Sequence, residues 1–452
     1  MKHIRVFLFL ILFANFAFAQ QKSTPATALQ DYMNNGDKTY AWEVKDSYKV
    51  NNAEVYSLLL ISQKWQGLLW KHELLVFVPD SINYDGALLF VNGGSLAESG
   101  LPNITAKEDK ISAFMADMAD RNKAVVAVIR QVPNQALYGG LVEDALIAYT
   151  LDHFRTSNDY SWPLLFPMVK SARKAMDAVQ EFVAQKSNCQ INRFVVSGAS
   201  KRGWTSWLTA ASQDQRVVAI APMVIDMLNM PATLEYQKEM YGAFSEEIQD
   251  YVRIGIPQSA KSEFGSIIVR MIDPYSYREN LTQPKMIILA TNDPYWTVDA
   301  VKHYYDGIPG YNLIHYAVNA GHDMGDKVEV MKALSAFLSL TLDKQAYPKC
   351  GWTLSEKKGK INLLVQTTPD KLLGAKLWVA SSPTRDFRKS VWTSSNILIN
   401  EKNKSEVQSL LKYPKKDFRA FYIDLIYQNP KGGDYSVSTR TFVADRKQVF
   451  VK

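Results

Sequence analysis

The chain has 452 residues, of which 47% are hydrophobic, so it is too long for one small domain and can bury a sizeable core. Its formal net charge of +7 is spread along the chain with no arginine-rich run or interleaved aromatic patch, which argues against nucleic-acid binding. The 6 histidines and 2 cysteines show no zinc-type spacing, so we expect no metal and no other cofactor.

Residues 1–19 have the layout of a secretory signal peptide. Lys2 and Arg5 form a basic start, residues 6–13 are apolar, and residues 17–19 are a small-x-small cleavage site followed by polar residues. The apolar run is short for a spanning helix, which needs about 20 residues. We therefore expect an exported protein, periplasmic or secreted, with no transmembrane segment after signal cleavage.

Export places Cys189 and Cys350 in an oxidising compartment, which permits a disulfide between them. Such a bridge closes a long loop and stabilises the fold by up to about 5 kcal/mol in the chain-entropy model. Two unrelated buried thiols are the alternative, and the sequence does not choose between them.

The hydrophobic pattern from residue 56 to residue 342 predicts a doubly wound, mostly parallel α/β sheet. Apolar runs separated by amphipathic helices are typical of a parallel sheet that is covered on both faces. A short link containing Gly67 predicts an antiparallel pair at the start. The predicted strands are 56–62, 72–79, 87–91, 124–129, 191–197, 217–225, 285–291 and 312–317, and the predicted helices are 111–121, 167–185, 204–211 and 328–342.

Two segments depart from this alternation. Residues 226–284 form an insertion with helical spacing over residues 234–252, and they are either a cap above the functional site or a surface excursion with no substrate role. After Cys350, short strands separated by turn residues predict a C-terminal β-sandwich domain of residues 349–452. Residues 20–348 then form the α/β domain.

The strongest functional signal is the segment 194–204, in which a strand runs into a glycine and a serine and a helix follows. This order is that of the nucleophile elbow, a tight turn that exposes the serine at the end of a strand. The common form is G-x-S-x-G, whereas here Arg202 takes the place of the second glycine and Gly203 lies one position later. We predict Ser200 as the nucleophile.

A serine hydroxyl needs a base to remove its proton and an acid to orient the base. In this kind of fold the three residues follow in the order serine, acid, histidine. Asp293 follows the predicted strand 285–291, and His322 lies in the loop after the last predicted strand. We predict Asp293 as the acid and His322 as the base, with Asp299 and Asp323 as competing acids.

Negative charge develops on the substrate oxygen in the transition state, so hydrogen-bond donors are needed beside the serine. One predicted donor is the N–H of Lys201. The loop after the third predicted strand, with Gly94 and Ser95, resembles the HGGG-type loops of esterases, although a tight glycine turn also explains it. The Lys201 and Arg202 side chains either add positive charge for the substrate or are solvated, and we predict that Trp296 lines the pocket.

Several separate stretches of the chain, taken together, resemble one protein family. They are VNGG (91–94), QVPNQ (131–135), WPLLFPM (162–168) with KSA (170–172), GASKRGW (198–204), DPY (273–275), TND (291–293) and RDFR (385–388). The sequence is similar in these stretches to the PhoPQ-activated pathogenicity-related protein family, which also includes a secreted autocrine proliferation repressor. The resemblance implies an α/β-hydrolase-like fold with a β-rich tail. It implies no particular substrate, because the family is named for regulation and phenotype.

These observations predict an exported serine hydrolase that cleaves an ester or an amide in a small-molecule, glycan or peptide substrate. The alternative is a secreted binding or signalling protein that keeps the fold without turnover, since hydrolase folds also serve as binding proteins. The sequence does not indicate an oligomeric state.

Overall fold

The computed structural model describes residues 23–107 and 109–451, so the predicted signal peptide lies outside the described residues. The strands are β1 (Ala41–Val50), β2 (Ala53–Trp65), β3 (Leu68–Val78), β4 (Gly86–Val91), β5 (Val125–Ile129), β6 (Arg193–Ala199), β7 (Val217–Met223), β8 (Lys285–Ala290), β9 (Asn312–Ala317), β10 (Gly351–Lys357), β11 (Lys360–Gln366), β12 (Leu372–Ser382), β13 (Thr393–Asn396), β14 (Glu406–Leu411), β15 (Phe418–Gln428), β16 (Asp434–Ser438) and β17 (Phe442–Ala444). The helices are α1 (Ala28–Met33), α2 (Lys110–Asn122), α3 (Glu143–Ser157), α4 (Leu165–Lys186), α5 (Lys201–Ala211), α6 (Met230–Tyr241), α7 (Gln249–Arg253), α8 (Ile256–Ser259), α9 (Glu263–Ile272) and α10 (Val328–Leu342). Within the described ranges, no helix combines the length and the apolar character that a bilayer crossing requires.

A single 14-stranded sheet runs through the molecule in the order β1-β2-β3-β5-β4-β6-β7-β8-β9-β16-β15-β12-β13, with β17 paired to β15. Strands β1, β2, β3 and β5 pair in antiparallel fashion, and all pairings from β5 through β4 to β9 are parallel. The predicted antiparallel entry into a parallel, doubly wound sheet is confirmed.

Both faces of the parallel strands are buried, because alternate side chains of a strand point to opposite faces. In β4, Ala87, Leu89 and Val91 belong to the apolar cluster that includes α4 and α5. Leu88 and Phe90 belong to the opposite cluster, which includes α2 and α10. This double burial explains why the strand is a continuous apolar run in the sequence.

The helix α3 was not predicted. It begins at Glu143 with a positive φ of 52°. The preceding residue, Val142, supplies no side-chain cap to the first N–H groups. A start without Ser, Thr, Asp or Asn lacks the usual sequence signal for a helix N-terminus. Near the C-terminus, the two short strands β16 and β17 are separated by residues 439–441.

The C-terminal region contains two sheets, but one of them is not separate from the rest of the molecule. Strands β10, β11 and β14 form a three-stranded sheet of their own. Strands β12, β13, β15 and β16 instead extend the central sheet, through the pairing of Ser438 with Ile314 of β9. Leu363 of β11 and Leu425 of β15 contribute to the same apolar cluster. The predicted sandwich therefore shares one layer with the α/β domain, which the sequence did not indicate.

The two cysteines are free thiols. Cys189, after α4, lies with its Sγ 3.7 Å from the carbonyl oxygen of Tyr84. Cys350, before β10, lies with its Sγ 3.9 Å from the carbonyl oxygen of Val437. The disulfide considered from the sequence is absent between these described residues, since each thiol contacts a different part of the fold.

Candidate active site

Ser200 lies in the turn between β6 and α5, with φ 58° and ψ −128°. A residue with a Cβ rarely adopts a positive φ, and backbone strain of this kind is found mainly at functional sites. The turn is tight: a Cβ on Gly198 would lie 2.8 Å from the carbonyl oxygen of Arg202, and one on Gly203 would lie 2.7 Å from that of Met223. The glycine that is displaced by one position from the common pattern therefore still allows the helix to approach the sheet.

The side chains of Ser200, His322 and Asp293 form a continuous hydrogen-bonded chain at the ends of β6, β9 and β8. The Ser200 hydroxyl lies 2.8 Å from His322 Nε2. His322 Nδ1 lies 2.9 Å and 3.1 Å from the two carboxylate oxygens of Asp293. With Asp293 as its acceptor, Nδ1 carries the imidazole proton and Nε2 is left to accept the hydroxyl.

Further contacts hold this chain in place. The backbone N–H of Tyr295 donates to Asp293 Oδ1 at 2.9 Å, which helps to keep the carboxylate oriented. The Tyr295 ring lies beside the imidazole of His322, with 4.1 Å between the ring centroids. Asp293 is buried, whereas the His322 side chain is 21% exposed and can be reached by a substrate.

The two competing acids have other partners. Asp299 is buried, and it accepts hydrogen bonds from the Tyr236 hydroxyl at 2.8 Å and from Lys302 Nζ at 2.8 Å. Asp323 is exposed and accepts the N–H of Gly325 at 3.1 Å. Asp293 is thus the acid that meets His322.

Beside Ser200, two basic and two acidic side chains form a compensated cluster. Lys201 Nζ lies 2.9 Å from Glu143 Oε2 and 3.2 Å from Asp144 Oδ2. Arg202 donates from both terminal nitrogens to the Glu143 carboxylate at 2.6 Å each. Burial acts to raise the pKa of Glu143, but the hydrogen bonds and charge of Arg202, with the charge of Lys201, lower it to about 2. The Tyr251 hydroxyl donates to Asp144 Oδ1 at 2.9 Å.

Arg202, which was predicted from the sequence as a substrate-binding residue, contacts other protein groups in this structure. Its guanidinium donates hydrogen bonds to the Glu143 carboxylate and, from Nε, to the carbonyl oxygen of Val132 at 2.6 Å. Arg202 is not among the described residues that line the pocket. Glu143 and Asp144 were not predicted as site residues, and their local signal in the sequence is the adjacent acidic pair itself.

The glycine loop after β4 was predicted from the sequence to supply a second oxyanion donor. Gly94 and Ser95 are exposed and lie outside the described pocket lining. A Cβ on Gly94, at φ 150°, would lie 2.9 Å from Gln131 Nε2, so this glycine allows a close approach of the neighbouring loop. The close approach explains the glycine at this position, and the role of the loop as an oxyanion donor stays a prediction. Lys201 and Trp296 do line the pocket.

The pocket opens beside Ser200 and His322 and has a volume of about 50 Å³. Asp144 and Lys201 form its charged wall. The remaining lining is apolar or aromatic, and the insertion between β7 and β8 supplies much of it through Met230, Leu234, Ile248, Tyr251, Ile256, Pro257 and Ile272. The insertion thus covers the serine.

The order β2-β3-β5-β4-β6-β7-β8-β9, with an elbow after β6 and a histidine after β9, defines an α/β-hydrolase fold. The comparison with protein families agrees with the resemblance noted in the sequence. The chain belongs to the family described as PhoPQ-activated pathogenicity-related protein, whose model matches residues 29–388.

The sequence identity between this chain and individual proteins is low. Autocrine proliferation repressor protein A of Dictyostelium discoideum is 27% identical over 453 residues, which cover 93% of this chain and 90% of that protein. Among solved structures, acetyl xylan esterase 1 from Thermoanaerobacterium sp. JW/SL YS485 is 18% identical, with a TM-score of 0.47 over 70% of this chain and 92% of that one. The acetyl xylan esterase from Paenibacillus sp. R4 is 13% identical, with a TM-score of 0.42 over 67% of this chain and 90% of that one.

Proposed function

We propose that this chain is an exported serine hydrolase that cleaves an ester or an amide, with Ser200 as nucleophile, His322 as base and Asp293 as the orienting acid. The observation that carries the proposal is the hydrogen-bonded chain from the Asp293 carboxylate through the imidazole to the Ser200 hydroxyl. Its position at the mouth of a covered, largely apolar pocket gives a substrate access to the hydroxyl while it limits the access of water.

In the proposed reaction, Nε2 of His322 removes the Ser200 proton as the serine oxygen attacks the substrate carbonyl carbon. The Asp293 carboxylate stabilises the imidazolium that forms. His322 then returns the proton to the departing alcohol or amine, which leaves an acyl group on Ser200. A water molecule, deprotonated by His322 in the same way, releases the acid and restores the serine.

One donor for the oxyanion follows from the elbow. Lys201 is the first residue of α5, and the first N–H groups of a helix have no acceptor within that helix. The N–H of Lys201 is therefore available beside the attacked carbon, at the end of the helix where a negative charge is favoured. The Lys201 ammonium is bound by two carboxylates, so we assign the oxyanion role to the backbone of this residue and not to its side chain.

A fluorophosphonate probe tests this proposal, because it reacts covalently with an activated serine. We expect mass spectrometry to find one adduct, on Ser200, which Ser200→Ala abolishes. Asp293→Asn should slow labelling strongly, because the corresponding change in a serine protease triad lowers kcat by about 10⁴-fold. Asp323→Asn is the matched control, since it removes an exposed carboxylate next to His322 and should label like the wild type. Folded wild-type protein that remains unlabelled would instead favour the non-catalytic binding protein.

Export is tested separately by sequencing the N-terminus of the protein recovered from outside the cytoplasm. The small-x-small site predicts Gln20 as the first residue. An intact Met1 on the recovered protein contradicts this part of the proposal.

A further inference from the structure

The size and charge of the pocket narrow the substrate class. Building on the proposed function, we infer that the pocket takes the acyl part of the substrate, and that this acyl group is short, apolar and uncharged. The inference depends on the volume of the cavity, on the apolar side chains that the insertion contributes, and on the state of the two charged side chains in the wall.

The cavity limits the length of the acyl chain. Its volume is about 50 Å³, smaller than the roughly 150 Å³ of an apolar cavity that holds the six carbons of benzene. An acyl chain of fewer than six carbons, about three to five, is therefore the size that the pocket favours. Leu234 on α6 and Ile256 on α8 are buried and close the pocket on the side of the insertion.

The charges in the wall exclude an ionised acyl group. Apart from His322, Lys201 is the only basic residue in the described lining, and its ammonium is already bound by Glu143 and Asp144 at 2.9 Å and 3.2 Å. A substrate carboxylate would have to compete with both of these carboxylates and would lie beside Asp144. Burying a charge without a partner is costly, so an uncharged chain is preferred.

A series of p-nitrophenyl esters with acyl chains from acetate to dodecanoate tests the inference, with the hemisuccinate ester as an anionic acyl group of four carbons. We expect the highest kcat/KM at three to five carbons, as estimated from the cavity. A hydrophobic pocket discriminates by roughly 10- to 200-fold for one methylene group. We therefore expect kcat/KM for octanoate and for hemisuccinate to be at least about 10-fold below that for butyrate.

Two variants connect the preference to the pocket. Leu234→Ala and Ile256→Ala enlarge the cavity from two different helices, and each should move the optimum to longer chains. Leu363→Ala, in the separate C-terminal sheet, is the control for lost stability and should keep the wild-type optimum. An optimum at eight carbons or more, or an optimum that neither variant moves, overturns the inference. Hydrolysis of no ester, without labelling of Ser200, contradicts the proposed function itself.

The loop between β12 and β13, residues 383–392, contacts the proposed active site from the C-terminal region. We call it the docking loop. It is anchored by Phe387 and Trp392, each 2% exposed in the apolar cluster that includes α4 and α5. From this position the docking loop contacts the two loops that contain Asp293 and His322.

The first contact with the docking loop is made by Asn292, which precedes Asp293. Its side-chain Nδ2 donates to the carbonyl oxygen of Ser390 at 2.7 Å, and it lies 3.2 Å from that of Arg388. The second is made by Asn319, three residues before His322. Its Nδ2 donates to the carbonyl oxygen of Trp392 at 3.0 Å, and its Oδ1 accepts the Trp392 N–H at 2.7 Å.

The two loops are also joined directly to each other. The N–H of Asn319 donates to the Thr291 hydroxyl at 2.8 Å, and the N–H of Asn292 donates to the carbonyl oxygen of Ala320 at 3.1 Å. We propose that the docking loop fixes the distance between Asp293 and His322, with Asn292 and Asn319 as positioning residues. The C-terminal region then contributes to the proposed reaction without touching the substrate.

Asn292→Ala and Asn319→Ala test the positioning role. The matched control is Asn362→Ala, which removes a buried side-chain amide that donates to Ser355 at 2.9 Å in the separate C-terminal sheet. A misplacement of about 1 Å can cost about 10²-fold in rate. We therefore expect kcat to fall by about 10- to 100-fold in the two loop variants, with KM for butyrate unchanged. The control Asn362→Ala should keep the wild-type kcat even where its thermal stability falls by as much as that of the two loop variants.

A readout that needs no turnover keeps this test independent of the proposed function. The imidazole N–H between His322 and Asp293 should give a low-field proton NMR resonance in the wild type and in Asn362→Ala, and His322→Gln should remove it. We expect this resonance to broaden or disappear in Asn319→Ala. An unchanged resonance in both loop variants, or a fall in kcat that only follows the folded fraction, overturns the positioning role.

Discussion

The buried carboxyl group of Asp226 should make the stability of this protein depend on pH, and Asp226→Asn should remove that dependence. Asp226 follows β7, is 5% exposed, and accepts a hydrogen bond from the Tyr304 hydroxyl at 2.6 Å. Burial raises its pKa from 3.8 to about 8; the bond from Tyr304 opposes this rise, and the nearby carboxylates of Asp293 and Asp299 add to it. Asparagine has nearly the same shape and keeps an oxygen for Tyr304, but it cannot ionise.

The direction of the effect follows from proton binding. Between about pH 4 and pH 8 the folded state holds a proton on Asp226 that the unfolded chain has released, so the free energy of unfolding falls as the pH rises through this window. At about 1.4 kcal/mol for each unit of pKa, the full difference corresponds to about 6 kcal/mol, an upper limit if the site relaxes. We expect the wild type and Asp226→Asn to be similar near pH 4, and the variant to be more stable by several kcal/mol at pH 8.

Urea unfolding followed by tryptophan fluorescence at pH 5, 6.5 and 8 measures this difference, because the urea midpoint and slope together report the free energy of unfolding. Asp323→Asn, which changes an exposed carboxylate, is the control and should follow the wild type at each pH. A gap between the wild type and Asp226→Asn that has the same size at pH 5 and pH 8 would refute the reasoning.

Two further substitutions test the elbow and the charge cluster. Gly203→Ala places a Cβ 2.7 Å from the carbonyl oxygen of Met223 and forces α5 away from the sheet. We expect a loss of about 1–3 kcal/mol in thermal unfolding and a loss of probe labelling, and unchanged labelling would contradict the tight-turn argument. Glu143→Gln leaves Lys201 and Arg202 with one carboxylate fewer; because Glu143 is 35% exposed, we expect a loss of about 2 kcal/mol, below the 3–5 kcal/mol of a fully buried pair. Urea unfolding checks the second change, and wild-type stability in Glu143→Gln would show that the cluster does not stabilise the fold.

Local patterns determined a large part of this fold. The continuous apolar run of β4 is visible because both of its faces are buried, and α10 was predicted with the bounds 328–342 that the structure has. The elbow at Ser200 is also local, since a strand, a small residue pair and a helix are consecutive in the chain. Asp293 and His322 were predicted because each follows a strand that the hydrophobic pattern reveals.

Only the tertiary structure decided the contacts between distant segments. Asp293 and Asp299 both follow β8, and the choice between them depends on where the loop after β9 brings His322. The partner of Arg202 is Glu143, on a helix whose start carries no capping signal. The pairing of β16 with β9 and the contact of Asn319 with Trp392 join residues that are 124 and 73 positions apart. The hydrophobic pattern of a segment indicates which of its faces is buried. The partner of a polar side chain depends instead on how distant segments are arranged in space, and the sequence of one segment does not contain that information.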